Sequence, residues 1–152
     1  MNKVNWKFDN TYSKLSKSFR ELIKPTPVHN PEIVIFNHQL AEDLNLDFSK
    51  LTNDELSNIF SGNDLPKDSK SLAQAYAGHQ FGHFTMLGDG RAVLLGEHLD
   101  HKKNRYDIQF KGSGRTSFSR GGDGRAALGP MLREYIISEA IHSLNIPTTR
   151  SL

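Results

Sequence analysis

The first half of the chain is patterned mainly for helices. Leu15, Phe19 and Leu22 fall on one face of a helix predicted over residues 10–24. The two prolines that follow would end it, because proline has no backbone donor and restricts the residue before it. Further along, the same reasoning predicts a short strand at 31–36 and helices at 37–46, 52–60 and 70–78.

The second half changes to strand-like patterning. An apolar run predicts a buried strand at 91–97, and a polar connection at 98–105 leads to an alternating strand at 106–111. A loop rich in glycine, serine and arginine follows at 112–124, and a helix is predicted over 130–145. The alternation places Tyr106, Ile108 and Phe110 on one face of the second strand, and Asp107, Gln109 and Lys111 on the other.

The pentapeptide Gly-Asp-Gly-Arg-Ala occurs twice, at 88–92 and at 122–126. One copy precedes a strand and the other a helix, so the duplication is not a structural repeat. Glycines let backbone N–H groups approach an anion, and Arg91 adds a forked donor beside them. The commoner alternative for the first copy is an ordinary Asp-Gly hairpin turn with glycine at positive φ.

Lys111 and Glu134 strengthen the anion-binding interpretation. Lys111 ends a strand on its polar face, and Glu134 lies in the helix after the loop. In protein kinases a strand lysine binds phosphate and is held by a helix glutamate. Either residue alone is most often a solvated charge. The kinase glycine pattern is only half met, because Val93 stands where its third glycine would fall.

The loop at 112–124 and the residues just after it offer three further cations. Arg115, Arg120 and Arg125 surround its glycines just before a helix N-terminus, which suits an anion site. The alternative is a solvated surface loop. His79 and His83 have the spacing of a zinc pair on a helix, but the glutamate of H-E-x-x-H is missing, so we expect them to pack or to hydrogen-bond.

Composition narrows the classes of function. The 152 residues amount to about one domain, with a net charge of +2 and no cysteine, which excludes disulfides and cysteine-bound zinc from this chain. The basic run at 101–105 lacks interleaved aromatics, so a nucleic-acid interface is the weaker alternative to a hairpin end. No apolar run approaches the roughly 20 residues of a bilayer span, and no leader pattern opens the chain, so we expect a cytoplasmic protein.

Three long stretches carry a family resemblance. They are YAGHQFGHFTMLGDGRAVLLGE at 76–97, DIQFKGSGRTSFSRGGDGRAALGPMLREYIISEA at 107–140 and IPTTRSL at 146–152. In these, and in PTPV and FSGN of the first half, the chain resembles the selenoprotein O (SelO) family. Two pentapeptides in this order, with QFKGSG between them, are a specific signal.

The resemblance implies an α+β fold. Residues 76–152 would form a protein-kinase-like N-lobe, an antiparallel sheet with a helix that carries Glu134. Residues 1–75 would form a mostly helical N-terminal extension. The fold would be incomplete, because the C-lobe, the catalytic aspartate and the Mg²⁺ ligands of the family are expected beyond Leu152.

The resemblance also implies an enzyme that uses Mg²⁺ to transfer AMP from ATP to Ser, Thr or Tyr hydroxyls of proteins. Both pentapeptides would then approach one ATP, and no catalytic or metal-binding residue is predicted within this chain. By itself the chain is expected to bind ATP weakly and to be nearly inactive. A non-catalytic nucleotide-binding module of pseudokinase type is the alternative, and no nucleic-acid or membrane partner is expected. The implied nucleotide contacts are Gly88, Gly90, Arg91, Lys111, Asp123 and Gly124, with Glu134 as the partner of Lys111.

Overall fold

The computed structural model describes residues 3–152. Over these residues the chain forms five strands, three α-helices and one short 3-10 helix. No helix among them is both long and apolar enough to cross a membrane. In chain order the elements are the 3-10 helix Tyr12–Lys14, β1 Arg20–Leu22, α1 His38–Asp43, α2 Asn53–Ser61, β2 Leu72–Gln80, β3 His83–Gly88, β4 Ala92–Leu99, β5 Arg105–Lys111 and α3 Leu128–Ser143.

The five strands form one antiparallel sheet that branches at β2. The order is β1-β2-β4-β5, and β3 pairs with the outer part of β2. β2 is long enough to serve two partners: residues 72–74 pair with β1, and residues 75–80 pair with β3. β4 is the most deeply buried strand, with Leu95 fully covered. This arrangement projects the β2–β3 hairpin beyond the rest of the sheet.

The helix predicted over 10–24 is wrong. The segment makes a single 3-10 turn and then enters the sheet as β1. At the start of this segment, the Thr11 hydroxyl and the Tyr12 amide both donate to the buried carboxylate of Glu97. Residues 20–22 pair with β2, and Phe19 stays 52% exposed. Tertiary hydrogen bonds therefore override the helical spacing.

The helix predicted over 70–78 is also wrong, because these residues belong to β2. Their alanines are compatible with a helix, but each of residues 75–80 pairs with a residue of β3, and this pairing supplies backbone hydrogen bonds. The strand predicted at 31–36 does not form either. Residues 31–36 pair with no strand among the described residues, and Val34 and Ile35 remain exposed.

The other predicted elements are confirmed with small shifts at their ends. α1 and α2 lie within the predicted ranges or one residue beyond, and α2 has the complete capping box between Thr52 and Glu55. β4, β5 and α3 match the predictions for 91–97, 106–111 and 130–145. The basic run at 101–105 closes the β4–β5 hairpin, where Asp100 accepts from the amides of Lys102 and Asn104.

A small core joins the first segment of the chain to the back of the sheet. Trp6 stacks on Phe8 with ring centroids 5.3 Å apart, and it meets Phe48 and His98 edge-on. α1 contributes buried Leu40 and Ala41 to the same cluster. Residues 3–75 hold two short helices, a 3-10 turn, strand β1 and the first four residues of β2, and are not mostly helical. The predicted boundary at residue 75 falls inside β2.

His98 is a fully buried histidine that contacts the core around Trp6. Its Nδ1 accepts from the amide of Lys7 at 3.2 Å, and its Nε2 lies 2.8 Å from the carbonyl oxygen of Leu44. Because Nδ1 accepts, the ring is neutral and Nε2 carries the proton that it donates. Burial is the main cause that lowers the pKa of His98 below its usual value.

We expect the stability of the fold to fall as the pH drops below about 6.5. Unfolded histidine takes up a proton near that pH, whereas the buried ring resists it, so the unfolded state binds more protons and gains relative stability. Between pH 7.5 and 5.5 this one group contributes a loss of at most about 1.4 kcal/mol.

Thermal unfolding at several pH values measures the effect. His98→Gln is expected to be less stable at pH 7.5 but to lose this part of the pH dependence. The exposed His101→Gln is the matched control and should keep it. Parallel pH profiles for all three proteins would contradict the assignment.

Candidate functional site

The predicted site residues lie around one open cavity of about 1020 Å³. The β2–β3 hairpin, the turn after β3, the end of β5 and the loop after β5 form its walls. Six of the seven residues implied by the resemblance line it, namely Gly88, Gly90, Arg91, Lys111, Asp123 and Gly124. The seventh, Glu134, contacts Lys111.

The first pentapeptide connects β3 to β4 and packs tightly against the loop after β5. A Cβ at Gly88 would overlap the ring of Phe118, and one at Gly90 would lie 2.9 Å from the carbonyl oxygen of Phe118. The Thr116 hydroxyl donates to the carbonyl of Asp89 at 2.6 Å. These glycines therefore permit a close approach of the loop to the turn.

The alternative interpretation of this turn as an Asp-Gly hairpin is wrong. β3 pairs with β2, and β4 pairs with β2 and β5, so the turn does not join two paired neighbours. Neither Gly88 nor Gly90 has a positive φ. The hairpin turn lies instead at the β2–β3 tip, where Phe81 and Gly82 have φ of 60° and 79°, the signs that a type I′ turn requires.

Asp89 braces the turn from inside, a role that the sequence analysis did not assign. The residue is 8% exposed, and its carboxylate accepts from the amide of Gln74 at 3.0 Å. Its own amide donates to the carbonyl of Gln74 at 2.9 Å. Burial raises the pKa of Asp89, partly offset by the Gln74 hydrogen bond. The acidic centre of Gly-Asp-Gly is the signal that could have pointed to this brace.

Backbone pairing brings Lys111 and Arg91 to the same cavity. Lys111 lies opposite Ala92 in the β4–β5 ladder, and the amide of Gly112 donates to the carbonyl of Arg91 at 2.6 Å. Gln109 lines the same cavity, as the alternation of β5 predicts. Two cationic residues, one from the turn before β4 and one from the end of β5, therefore line the same cavity.

Glu134 holds the ammonium of Lys111 with both carboxylate oxygens. The distances from Nζ are 2.7 Å to Oε1 and 2.6 Å to Oε2. The two side chains are 43% and 48% exposed, so solvent screens the pair and it adds little to stability. The main effect of the Lys111–Glu134 pair is to fix the direction in which the Lys111 ammonium points.

The second pentapeptide closes the far wall. The carboxylate of Asp123 accepts from the amide of Arg125 at 2.9 Å, and the amide of Gly114 donates to the carbonyl of Gly124 at 3.1 Å. The guanidinium of Arg125 donates to the carbonyl of Pro27 at 3.1 Å. The second pentapeptide is thereby tied to the PTPV segment of the first half of the chain.

The three loop arginines are not equivalent. Arg120 and Arg125 line the cavity, whereas Arg115 does not. The guanidinium carbon of Arg120 lies 5.2 Å from the centroid of the Phe81 ring, a cation–π contact between the loop and the hairpin tip. This contact joins two walls that are distant in sequence, and no local pattern predicted it.

The structure offers no separate metal centre in the part of the chain that it describes. No group of three or more His, Asp or Glu side chains could hold an ion there. His79 and His83 flank the β2–β3 turn on opposite strands, and Nδ1 of His83 lies 3.1 Å from the carbonyl oxygen of Phe81. The zinc alternative fails for these residues because they are not on a helix.

Cationic residues and glycine turns from separate segments thus line one cleft of a mixed α/β protein. A family model described as "Protein adenylyltransferase SelO" matches residues 2–152. The chain belongs to the SelO family.

Curated relatives carry the name protein nucleotidyltransferase YdiU. The chain is 70% identical to the one from Pelagibacter ubique over 149 residues, which cover 98% of this chain and 31% of the relative. Identity is 64% to the relative from Nitrosococcus oceani, with 98% and 30% covered, and 62% to that from Anoxybacillus flavithermus, with 98% and 31% covered. The chain therefore spans about 30% of the length of these relatives.

Proposed function

We propose that this chain forms the ATP-binding part of a protein adenylyltransferase, which transfers AMP from ATP to hydroxyl side chains of proteins. The observation that carries the proposal is the convergence of both Gly-Asp-Gly-Arg-Ala segments and Lys111 on one cavity. The family membership and the names of the relatives support the reaction class.

The cavity suits a nucleoside triphosphate in size and charge. A volume of about 1020 Å³ lies at the upper end of the range for small-molecule sites. Arg91, Lys111 and Arg120 supply positive charge from three separate segments. Gly121 and Gly122 line the cavity with nothing within 4 Å of an added Cβ, so a ligand can approach their backbone closely, and Asp123 adds a backbone amide. We assign the phosphates to this cationic side, with Gly88, Gly90, Arg91, Lys111, Asp123 and Gly124 as nucleotide contacts.

In this proposal the residues of the chain act by position and charge. Glu134 orients the ammonium of Lys111, and that ammonium with Arg91 neutralises phosphate charge as the α-phosphorus is presented to an acceptor hydroxyl. The acceptor oxygen bonds to the α-phosphorus, the hydroxyl proton is released, and pyrophosphate leaves with the β- and γ-phosphates. A kinase-like N-lobe is the architecture that we propose, with α3 in the place of the helix that carries the glutamate.

Magnesium would reach the site mainly with the triphosphate. The described residues include no acidic cluster that fits the ion alone, so we assign it to the ATP phosphates and to ligands outside residues 3–152. When bound, it would neutralise charge on the phosphates. A cytoplasmic location and the absence of nucleic-acid and membrane partners remain predictions.

The position of the label in ATP tests the reaction. The product of the complete gene is incubated with a protein acceptor and ATP labelled at either the α- or the γ-phosphate. We expect protein-bound label from the α-position alone, and a loss of at least about tenfold in Lys111→Met, the size expected for one charge-assisted contact.

Lys102→Met removes the same charge from the β4–β5 turn, outside the cavity, and should transfer label normally. Label from the γ-position would make the protein a kinase. No transfer combined with intact ATP binding would favour the alternative, a non-catalytic nucleotide-binding module.

A further inference from the structure

Helix α3 carries Glu134, yet it is held to the fold by little apolar burial. Ser138 is its only buried residue. Ile136 and Ile137 are 62% and 57% exposed, although an apolar stripe normally fixes a helix to its neighbours. Among the residues that the structure describes, polar contacts therefore carry much of the attachment of α3.

The strongest of these contacts comes from Arg150, which follows α3 in the chain. Its Nε and Nη2 donate to the two carboxylate oxygens of Glu139 at 3.0 and 2.7 Å. Its Nη1 donates to Asp43, at the end of α1, at 3.1 Å. Such a fork fixes direction as well as distance. The Arg150 side chain is only 15% exposed, so water screens this network less than it screens the Lys111–Glu134 pair.

The segment that carries Arg150 is itself fastened to α1. The side-chain amide of Asn37 donates to the carbonyl of Ser151 at 3.1 Å, while its oxygen caps α1 by accepting from Leu40. Leu152 packs against the core around Trp6. Arg150 thus projects from a fixed base, and α3 is the element that it holds. The Arg150 guanidinium lowers the pKa of the Glu139 carboxyl.

We propose that Arg150 is a positioning residue for the cavity: through Glu139 it sets the position of α3, so that Glu134 meets Lys111. Glu139 lies five residues after Glu134, a separation of about 7.5 Å along a stiff helix. A shift at Glu139 is therefore passed to Glu134. The ATP readout below rests on the proposed function, whereas the effect on the Lys111–Glu134 pair does not.

The competing explanation is that Arg150 only stabilises the fold. Arg105 offers a matched control, because its guanidinium also bridges two carboxylates, Asp9 at 2.7 Å and Glu97 at 3.3 Å. That network lies at the far end of the β4–β5 hairpin from Lys111. Arg105→Met should therefore cost stability without moving α3.

The test follows the ammonium of Lys111 by ¹⁵N–¹H spectroscopy, because an ion-paired ammonium exchanges its protons more slowly. Lys111→Arg assigns the signal, and Glu134→Gln shows its position when the pair is broken. We expect Arg150→Met to move the signal towards the Glu134→Gln position, and Arg150→Lys to move it part of the way. Arg105→Met should leave it at the wild-type position.

Dissociation constants for ATP, measured on folded protein below each thermal midpoint, complete the test. We expect Arg150→Met to weaken ATP binding about fivefold, as Glu134→Gln does, and Arg105→Met to leave it unchanged. If the Lys111 signal in Arg150→Met stays at the wild-type position, the positioning role is wrong. If the wild type itself fails to bind ATP, the proposed function fails while the spectroscopic result still decides the role of Arg150.

Discussion

Replacing Gly124 with alanine is expected to destabilise the protein by about 3 kcal/mol, from backbone strain and overpacking together. Gly124 has a φ of +71°, and a Cβ there would overlap the carbonyl of Gly114 and lie 2.6 Å from the amide nitrogen of Arg115. These are backbone atoms, which cannot turn aside as a side chain can. The thermal midpoint should fall by roughly 10 °C for a chain of this size, and the second pentapeptide should move away from the cavity.

Variants of two nearby glycines separate the effect of the positive φ from the effect of the Cβ overlap. Gly121 has a φ of +84° but no atom within 4 Å of its added Cβ, so Gly121→Ala should cost only about 1 kcal/mol. Gly122 has neither constraint, and Gly122→Ala should be within about 0.5 kcal/mol of the wild type. Equal midpoints for the Gly124 and Gly122 variants would show that the contact with Gly114 does not constrain the loop.

The sequence predicted the elements whose signals are local. α2 has its capping box within four residues, and the alternation of β5 assigned Gln109 and Lys111 to the side that lines the cavity. The order of turn, strand lysine and helix glutamate pointed to a pair of Lys111 with Glu134, and the family resemblance named the two residues as partners.

Long-range pairing explains what the sequence did not predict. Helices were predicted over 10–24 and 70–78, but residues 20–22 pair with 72–74 and residues 75–80 pair with β3. Glu97 accepts hydrogen bonds from Thr11 and Tyr12. The buried brace at Asp89 and the contact of Arg120 with Phe81 likewise join segments far apart in the chain. No periodicity within one segment could reveal partners that only the fold brings together.

The structure divides the site into a fixed wall and an adjustable one. The first pentapeptide is held by hydrogen bonds of the buried Asp89 and of the Thr116 hydroxyl. The lysine charge depends instead on Glu134, on a helix whose attachment is mainly polar. Substitutions in the fixed wall should therefore act on stability and binding together, and those at Lys111 and Glu134 mainly on binding.

Removing the charge of Lys111 gives the largest expected loss of ATP affinity. Lys111→Met keeps the length of the side chain but takes a half-exposed ammonium out of the cavity, so we expect the dissociation constant to rise at least about tenfold. The thermal midpoint should change little, because a screened pair contributes at most about 1 kcal/mol. Titration of the 152-residue chain with ATP, followed by spectral shifts, measures both the wild type and the variant even if binding is weak.

Two matched variants show whether the loss of ATP affinity in Lys111→Met is specific to the cavity. Lys102→Met makes the same change in net charge at the β4–β5 turn, so a loss of affinity there would reveal only non-specific attraction between ATP and a basic protein. Glu134→Gln retains the ammonium but frees it to move, and we expect an intermediate loss of about fivefold. If the wild type, Lys111→Met and Glu134→Gln bind ATP with equal affinity, the phosphates do not bind on this side of the cavity. Neither the charge of Lys111 nor its ion pair with Glu134 would then contribute to ATP binding.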